Sequence, residues 1–157
     1  MKILLLMLTM LLSQLSVAQD LRSERIWKIS SSKRSIFFNK GVFHSDINSP
    51  LQELKSIRNS YISARAYERV VFDFSSDMPP RIYGKISLNE KKVYIDFFNT
   101  RLNKQIESVK NVKYIKGIDF FNIDKNHLSI EITFKENVSF DIFYLENPGR
   151  LVVDVKK

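Results

Sequence analysis

The chain contains no cysteine. It can therefore form no disulfide, no thiolate nucleophile and no thiolate metal centre, and its stability must come from a packed core. Histidine is nearly as scarce, with only His44 and His127. A zinc hydrolase needs about three histidine or carboxylate ligands and a general base, and neither histidine has a second one at metal-ligand spacing. The four glycines, at positions 41, 84, 117 and 149, make up neither a phosphate-cradling loop nor a GxSxG nucleophile elbow. These absences predict a protein that is not an enzyme and uses no cofactor and no metal. Long apolar runs are missing too. The one candidate, residues 3–12, falls short of the roughly 20 apolar residues that span a bilayer.

What is present begins with that short run. Lys2 precedes it, and the small-x-small site Ser16-Val17-Ala18 follows it. This is the form of a secretory signal peptide over residues 1–18. It predicts export to the periplasm or cell envelope, with no membrane span left after cleavage. Basic side chains outnumber acidic ones, 25 against 17, for a net charge of +8. Such an excess favours anionic partners through long-range, salt-sensitive attraction. For an exported protein these are cell-wall glycopeptide, lipopolysaccharide or anionic lipid surfaces, and nucleic acid is not expected. Residues 19–53 read as a basic leader whose "KISSSKRS" stretch is solvated. Its scattered apolar residues leave room for one added edge strand.

Residues 69–73 read "RVVFD" and residues 150–154 read "RLVVD". The match extends when the second half is slid onto the first without a gap. Lys55 falls on Lys113, Ile57 on Ile115, Asp73 on Glu131, Lys92 on Arg150 and Asp96 on Asp154. Shared periodicity over a whole module predicts a tandem repeat, with units at about 54–99 and 112–157. Each unit alternates apolar and polar residues with period two, as half-buried strands do. Val70, Phe72 and Phe74 alternate with Val71, Asp73 and Ser75, and Ile130, Ile132 and Phe134 with Ser129, Glu131 and Thr133. Turn residues such as Asp77-Met78-Pro79-Pro80 and Glu146-Asn147-Pro148-Gly149 separate them. The pattern predicts four strands per unit, near 54–61, 69–76, 81–88 and 92–98, then 112–120, 127–134, 138–146 and 150–156. The first strand has a helical alternative, because Ser49, Pro50 and Gln52 could cap a helix with Leu51, Leu54, Ile57 and Tyr61 on one face. The fold expected is an all-β sandwich of two related four-stranded sheets over residues 54–157.

The run "ERVVFDFSSDMPPRIYGKISLNEKKVYIDFFNTRL" at 68–102, together with "ENPGRLVVDV" at 146–155, resembles the AMIN domain, the amidase N-terminal module of bacterial cell-wall proteins. The matching positions are Arg69 to Phe74, Asn89 to Lys92 and Val93 to Asn99. The sequence departs from the family where Asn89-Glu90-Lys91 lacks a proline and where His127 stands in place of a strand-opening arginine. The resemblance implies two related four-stranded sheets and a module that binds peptidoglycan and localises its carrier in the envelope. The resemblance is to the targeting module alone, without the catalytic domain that follows it in amidases, so a non-catalytic module is expected. The alternative is a protein-binding adaptor of an envelope complex, of the pilus secretin or divisome type.

On the solvent-facing parity, Arg69 and Asp73, Lys92 and Asp96, His127 and Glu131, and Arg150 and Asp154 each put a base and an acid on one side of a strand. One reading is a cross-strand charge ladder that stabilises the sheets, each pair contributing roughly 0.2–1 kcal/mol. The other is a ligand surface in which Arg69, Asp73, Asp96, Arg150 and Asp154 join Tyr83 and Tyr94, with Arg81 and Arg101 nearby. Lys85 and Lys104 add positive charge without opposed acids. Aromatic faces would stack on sugar rings, and the cations would bind stem-peptide carboxylates.

Overall fold

The computed structural model describes residues 33–35, 37–39, 41–45, 48–110 and 112–157. The expected signal peptide and most of the basic leader lie outside the described residues. Thirteen strands are found among those described: β1 (Lys33–Ser35), β2 (Phe37–Asn39), β3 (Val42–His44), β4 (Gln52–Ile62), β5 (Tyr67–Phe74), β6 (Ile82–Ser87), β7 (Lys92–Phe98), β8 (Thr100–Leu102), β9 (Val109–Lys110), β10 (Ile115–Asn122), β11 (His127–Phe134), β12 (Ser139–Leu145) and β13 (Arg150–Lys156). The chain is all-β, with a 3-10 turn at Ser63–Arg65 among the described residues. All eight expected strands form, and residues 52–62 are a strand, not a helix. Gln52 and Leu54 point inward, and β4 pairs with β5 from Leu54 to Ile62.

The first sheet runs β1-β12-β13-β5-β4-β8 and the second β2-β3-β6-β7-β11-β10-β9. They therefore hold six and seven strands among the described residues, not four each. The leader supplies β1, β2 and β3, and the segment between the two units supplies β8 and β9. Alternation in β5, β7, β11 and β13 sends one apolar set inward from each sheet. Val70, Phe72, Leu151 and Val153 meet Val93, Ile95, Phe97, Ile130 and Ile132 in one core. Phe97 of the second sheet packs between Phe72 and Phe74 of the first, at ring-centroid distances of 5.9 and 5.3 Å. Phe43 on β3 lies over Gly84 on β6, where a Cβ would come within 2.0 Å of its ring.

Each unit divides between the sheets instead of building one of its own. Hairpins β4–β5 and β12–β13 share the first sheet, and β6–β7 and β10–β11 share the second. The central order β12-β13-β5-β4 becomes β6-β7-β11-β10 when the units are exchanged. Finer features correspond as well. The register of β4 against β5 shifts between Leu54 and Ser56, and that of β10 against β11 between Ile115 and Gly117. Ser75 N–H donates to Glu53 O and Lys135 N–H to Tyr114 O, both at 2.9 Å. Phe74 N–H donates to Gly149 O, and Phe134 N–H to Lys91 O. These bonds place Phe74 on Phe134 and Asp73 on Thr133, so the gap-free superposition of Asp73 on Glu131 is corrected. The loop after β5 is longer than the one after β11, and the superposition needs a gap there.

Gln52 is buried, and neither of its amide atoms has a partner among the described residues. An unbonded buried amide costs free energy that an apolar side chain of like length does not. Gln52→Met is therefore expected to keep stability or raise it by about 1 kcal/mol in urea unfolding, and a clear loss would contradict this reading of the site.

Candidate ligand-binding face

The two repeated phrases turn out to be neighbours. β5 and β13 run antiparallel with Arg69 opposite Asp154 and Asp73 opposite Arg150, so each arginine faces the other phrase's aspartate. Arg69 makes a bidentate pair with Asp154 at 2.6 and 2.7 Å. Its guanidinium also lies over the rings of Tyr67 and Phe143, at 5.2 and 5.7 Å. Asp73 is taken by Arg58 from β4, again bidentate at 2.7 and 2.6 Å, and by the Ser56 hydroxyl at 2.8 Å. Arg150 donates from Nε to Pro148 O. Between these pairs Val152 and Phe143 are buried on the outer side of the sheet. On the outer face of the first sheet both aspartates are thus ion-paired, Asp154 with Arg69 and Asp73 with Arg58, so the stabilising reading fits Arg69, Asp73 and Asp154, whereas Arg150 bonds a backbone carbonyl instead.

Burial works against the charge of Asp73, but the hydrogen bonds from Arg58 and Ser56 outweigh it and hold the carboxyl below its ordinary range. A depressed folded pKa contributes stability above the unfolded value, near 3.9, and loses it as pH falls through the folded one. The stability difference between the protein and Asp73→Asn should therefore shrink between about pH 5 and about pH 2. A difference that stays constant over that window in urea unfolding would contradict the assignment.

The second sheet's outer face differs. β6 and the residue before it present Arg81, Tyr83 and Lys85, all exposed. In register, Tyr83 lies beside Asp96, then Ser129 and Phe121, and Lys85 lies beside Tyr94, then Glu131 and Asp119. Tyr83 and Phe121 are 44% and 49% exposed. Some groups here are also paired: Lys92 with Glu131 at 2.6 Å, the Tyr94 hydroxyl donating to Glu90 at 2.9 Å, and His127 with Asp124 at 2.5 Å. The hydrogen bond to Glu90 holds the Tyr94 proton and raises its pKa. By contrast, the side chains of Arg81, Tyr83, Lys85 and Asp96 make no hydrogen bond or ion pair among the described residues. The Arg81 guanidinium carbon lies 5.2 Å from the centre of the Phe98 ring, which also makes an edge-type contact with the His127 ring at 5.3 Å.

The nine residues expected at one surface are therefore divided. Tyr83, Tyr94, Asp96 and Arg81 lie on the second sheet, and Arg69, Asp73, Arg150 and Asp154 face the opposite way on the first. Arg101 lies on β8, an edge strand of the first sheet. It donates to Lys125 O and Asn126 Oδ1 and ties β8 to the β10–β11 turn. Parity on single strands cannot tell which sheet a strand joins, so it does not separate the two sets. Phe121 is the residue that sequence reading passed over. In the pair Phe120-Phe121 either ring could face out, and only the register against β11 decides. Among the described residues no cluster of three or more histidine and acidic side chains could hold a metal ion, and no helix is long and apolar enough to cross a membrane. No family model matches the chain, and no curated protein matches it significantly in sequence.

Proposed function

We propose that the protein is an exported, non-catalytic module of the bacterial cell envelope that binds peptidoglycan on the outer face of its second sheet. The observation that carries this reading is the contrast between the two faces. On the first sheet the acids Asp73 and Asp154 are held by Arg58 and Arg69. On the second, two cations, a tyrosine and a carboxylate are exposed or half-exposed and make no side-chain hydrogen bond or ion pair among the described residues. An open face with aromatic, basic and acidic groups suits a polymer of sugar rings and carboxylated peptides. The net charge and the secretory start agree with such a partner, and so does the resemblance of residues 68–102 and 146–155 to the AMIN domain.

The sandwich is read as the product of an internal duplication. In its support, exchanging the units reproduces the central strand order, the register shifts near Lys55 and Lys116, and two pairs of loop hydrogen bonds. The test of function is co-sedimentation of the purified protein with protein-free peptidoglycan sacculi as salt is raised. Retention that weakens with salt but survives at about 0.15 M, where the Debye length is roughly 8 Å, is the expected result. No retention at any salt, or retention only when an envelope protein is added, would replace this reading with an adaptor.

A further inference from the structure

We infer that Arg81, Tyr83 and Lys85 form a linear subsite for a glycan strand bearing carboxylates. The subsite rests on the binding face proposed above and specifies what that face reads. Residues two apart on a strand share a face, and each residue advances about 3.3 Å. Arg81 and Lys85 are thus about 13 Å apart, with the exposed Tyr83 ring midway. The arrangement is cation, flat ring, cation, along one face of β6, between β3 and β7.

The two cations are not equivalent. Arg81 has a ring contact with Phe98, which in turn packs edge-on with His127. A guanidinium beside an aromatic ring keeps its planar donor fork, which can receive a carboxylate through two parallel hydrogen bonds. Lys85 is exposed and supplies a mobile point charge. Asp96, opposite Tyr83 in register, is an acceptor placed for the hydroxyls of a sugar ring stacked on the tyrosine. The ligand that matches all four groups has pyranose rings and carboxylates spaced over several sugar units. A neutral glycan would leave both cations unused, and a dense polyanion without rings would leave Tyr83 and Asp96 unused.

The probe is polygalacturonate, a linear carboxylated glycan, with its methyl ester as the uncharged control and sacculi as a separate arm. The full-length chain should bind the free acid and not the ester. Arg81→Ala and Lys85→Ala should each weaken binding about tenfold, and Arg81→Lys should recover only part of the loss. Lys55→Ala and Arg65→Ala, which remove equally exposed charges on or next to the first sheet, should leave binding unchanged. Thermal melts of each variant separate lost binding from lost fold. Equal losses in the Lys55 and Arg65 variants, equal binding of acid and ester, or no binding of the acid would each overturn the subsite. Retention on sacculi without binding of polygalacturonate would overturn the subsite and leave wall binding standing. The reverse pattern would overturn wall binding and leave the subsite.

Discussion

Gly149→Ala is expected to destabilise the fold by about 3 kcal/mol, the upper end of what overpacking costs. A Cβ at this position would lie 2.5 Å from the Met78 carbonyl carbon, 2.6 Å from its oxygen and 2.7 Å from Ser76 O. All three are backbone atoms, so no side chain can rotate out of the way. The same contact is where the β12–β13 turn is tied to the loop leaving β5. Gly149 N–H donates to Ser76 O at 2.8 Å, Asn147 N–H to Asp77 O at 2.9 Å, and Phe74 N–H to Gly149 O at 3.0 Å. Making room for a methyl group would stretch all three. Gly117→Ala is the matched control, since the nearest atom to its new Cβ would be Val109 O at 3.7 Å, ordinary contact. Urea unfolding should separate the two variants clearly. A Gly149→Ala loss no larger than that of Gly117→Ala would show that the turn and loop are not locked as described.

Glu68→Ala should cost about as much, roughly 3 kcal/mol, because it strands several buried donors at once. Glu68 is completely buried on the core side of β5. Its carboxylate accepts hydrogen bonds from the Tyr114 and Ile115 N–H groups, at 2.6 and 3.2 Å, and from Asn59 Nδ2 at 2.8 Å. Tyr114 and Ile115 lead into β10, so the side chain joins the first sheet to the second at one end of the sandwich. Leu128, the second residue of β11 as Glu68 is of β5, is also fully buried, and it is held there by packing alone. Glu68→Gln keeps the length and one oxygen and should lose less than Glu68→Ala. If the alanine variant unfolds within about 1 kcal/mol of the parent, the clamp contributes little and the sheets are held by the core alone.

Much of this architecture is legible in the residues, for reasons that are local. Period-two alternation around Val70, Val93, Ile130 and Leu151 marks strands whatever sheet they join. The turn residues at 77–80 and 146–149 bound them closely, so strand ends are right to within a few residues. Sheet membership is not local. Nothing in a single strand tells that β6 leaves the sheet of β5, and so the four-strands-per-sheet expectation and the merged nine-residue surface both failed. Short edge strands such as β8 and β9 have two or three residues, too few to show a period. The role of Glu68 is hidden for a related reason. An acidic residue ahead of "RVVFD" reads as solvated until the donors that reach it from 46 residues away are known. The repeated Arg and Asp, in contrast, are legible as a pattern, and antiparallel pairing of β5 with β13 accounts for Arg69 and Asp154, while Asp73 takes its arginine from β4.

The most direct test of the account is amide chemical-shift mapping of the labelled protein during titration with soluble, carboxylated peptidoglycan fragments. Binding at the proposed face predicts saturable shifts along Arg81 to Lys85 and Tyr94 to Phe98, with Arg69 to Asp73 and Arg150 to Asp154 unmoved. Shifts centred on the Arg69–Asp154 ladder instead, or no shifts at saturating fragment, would contradict it.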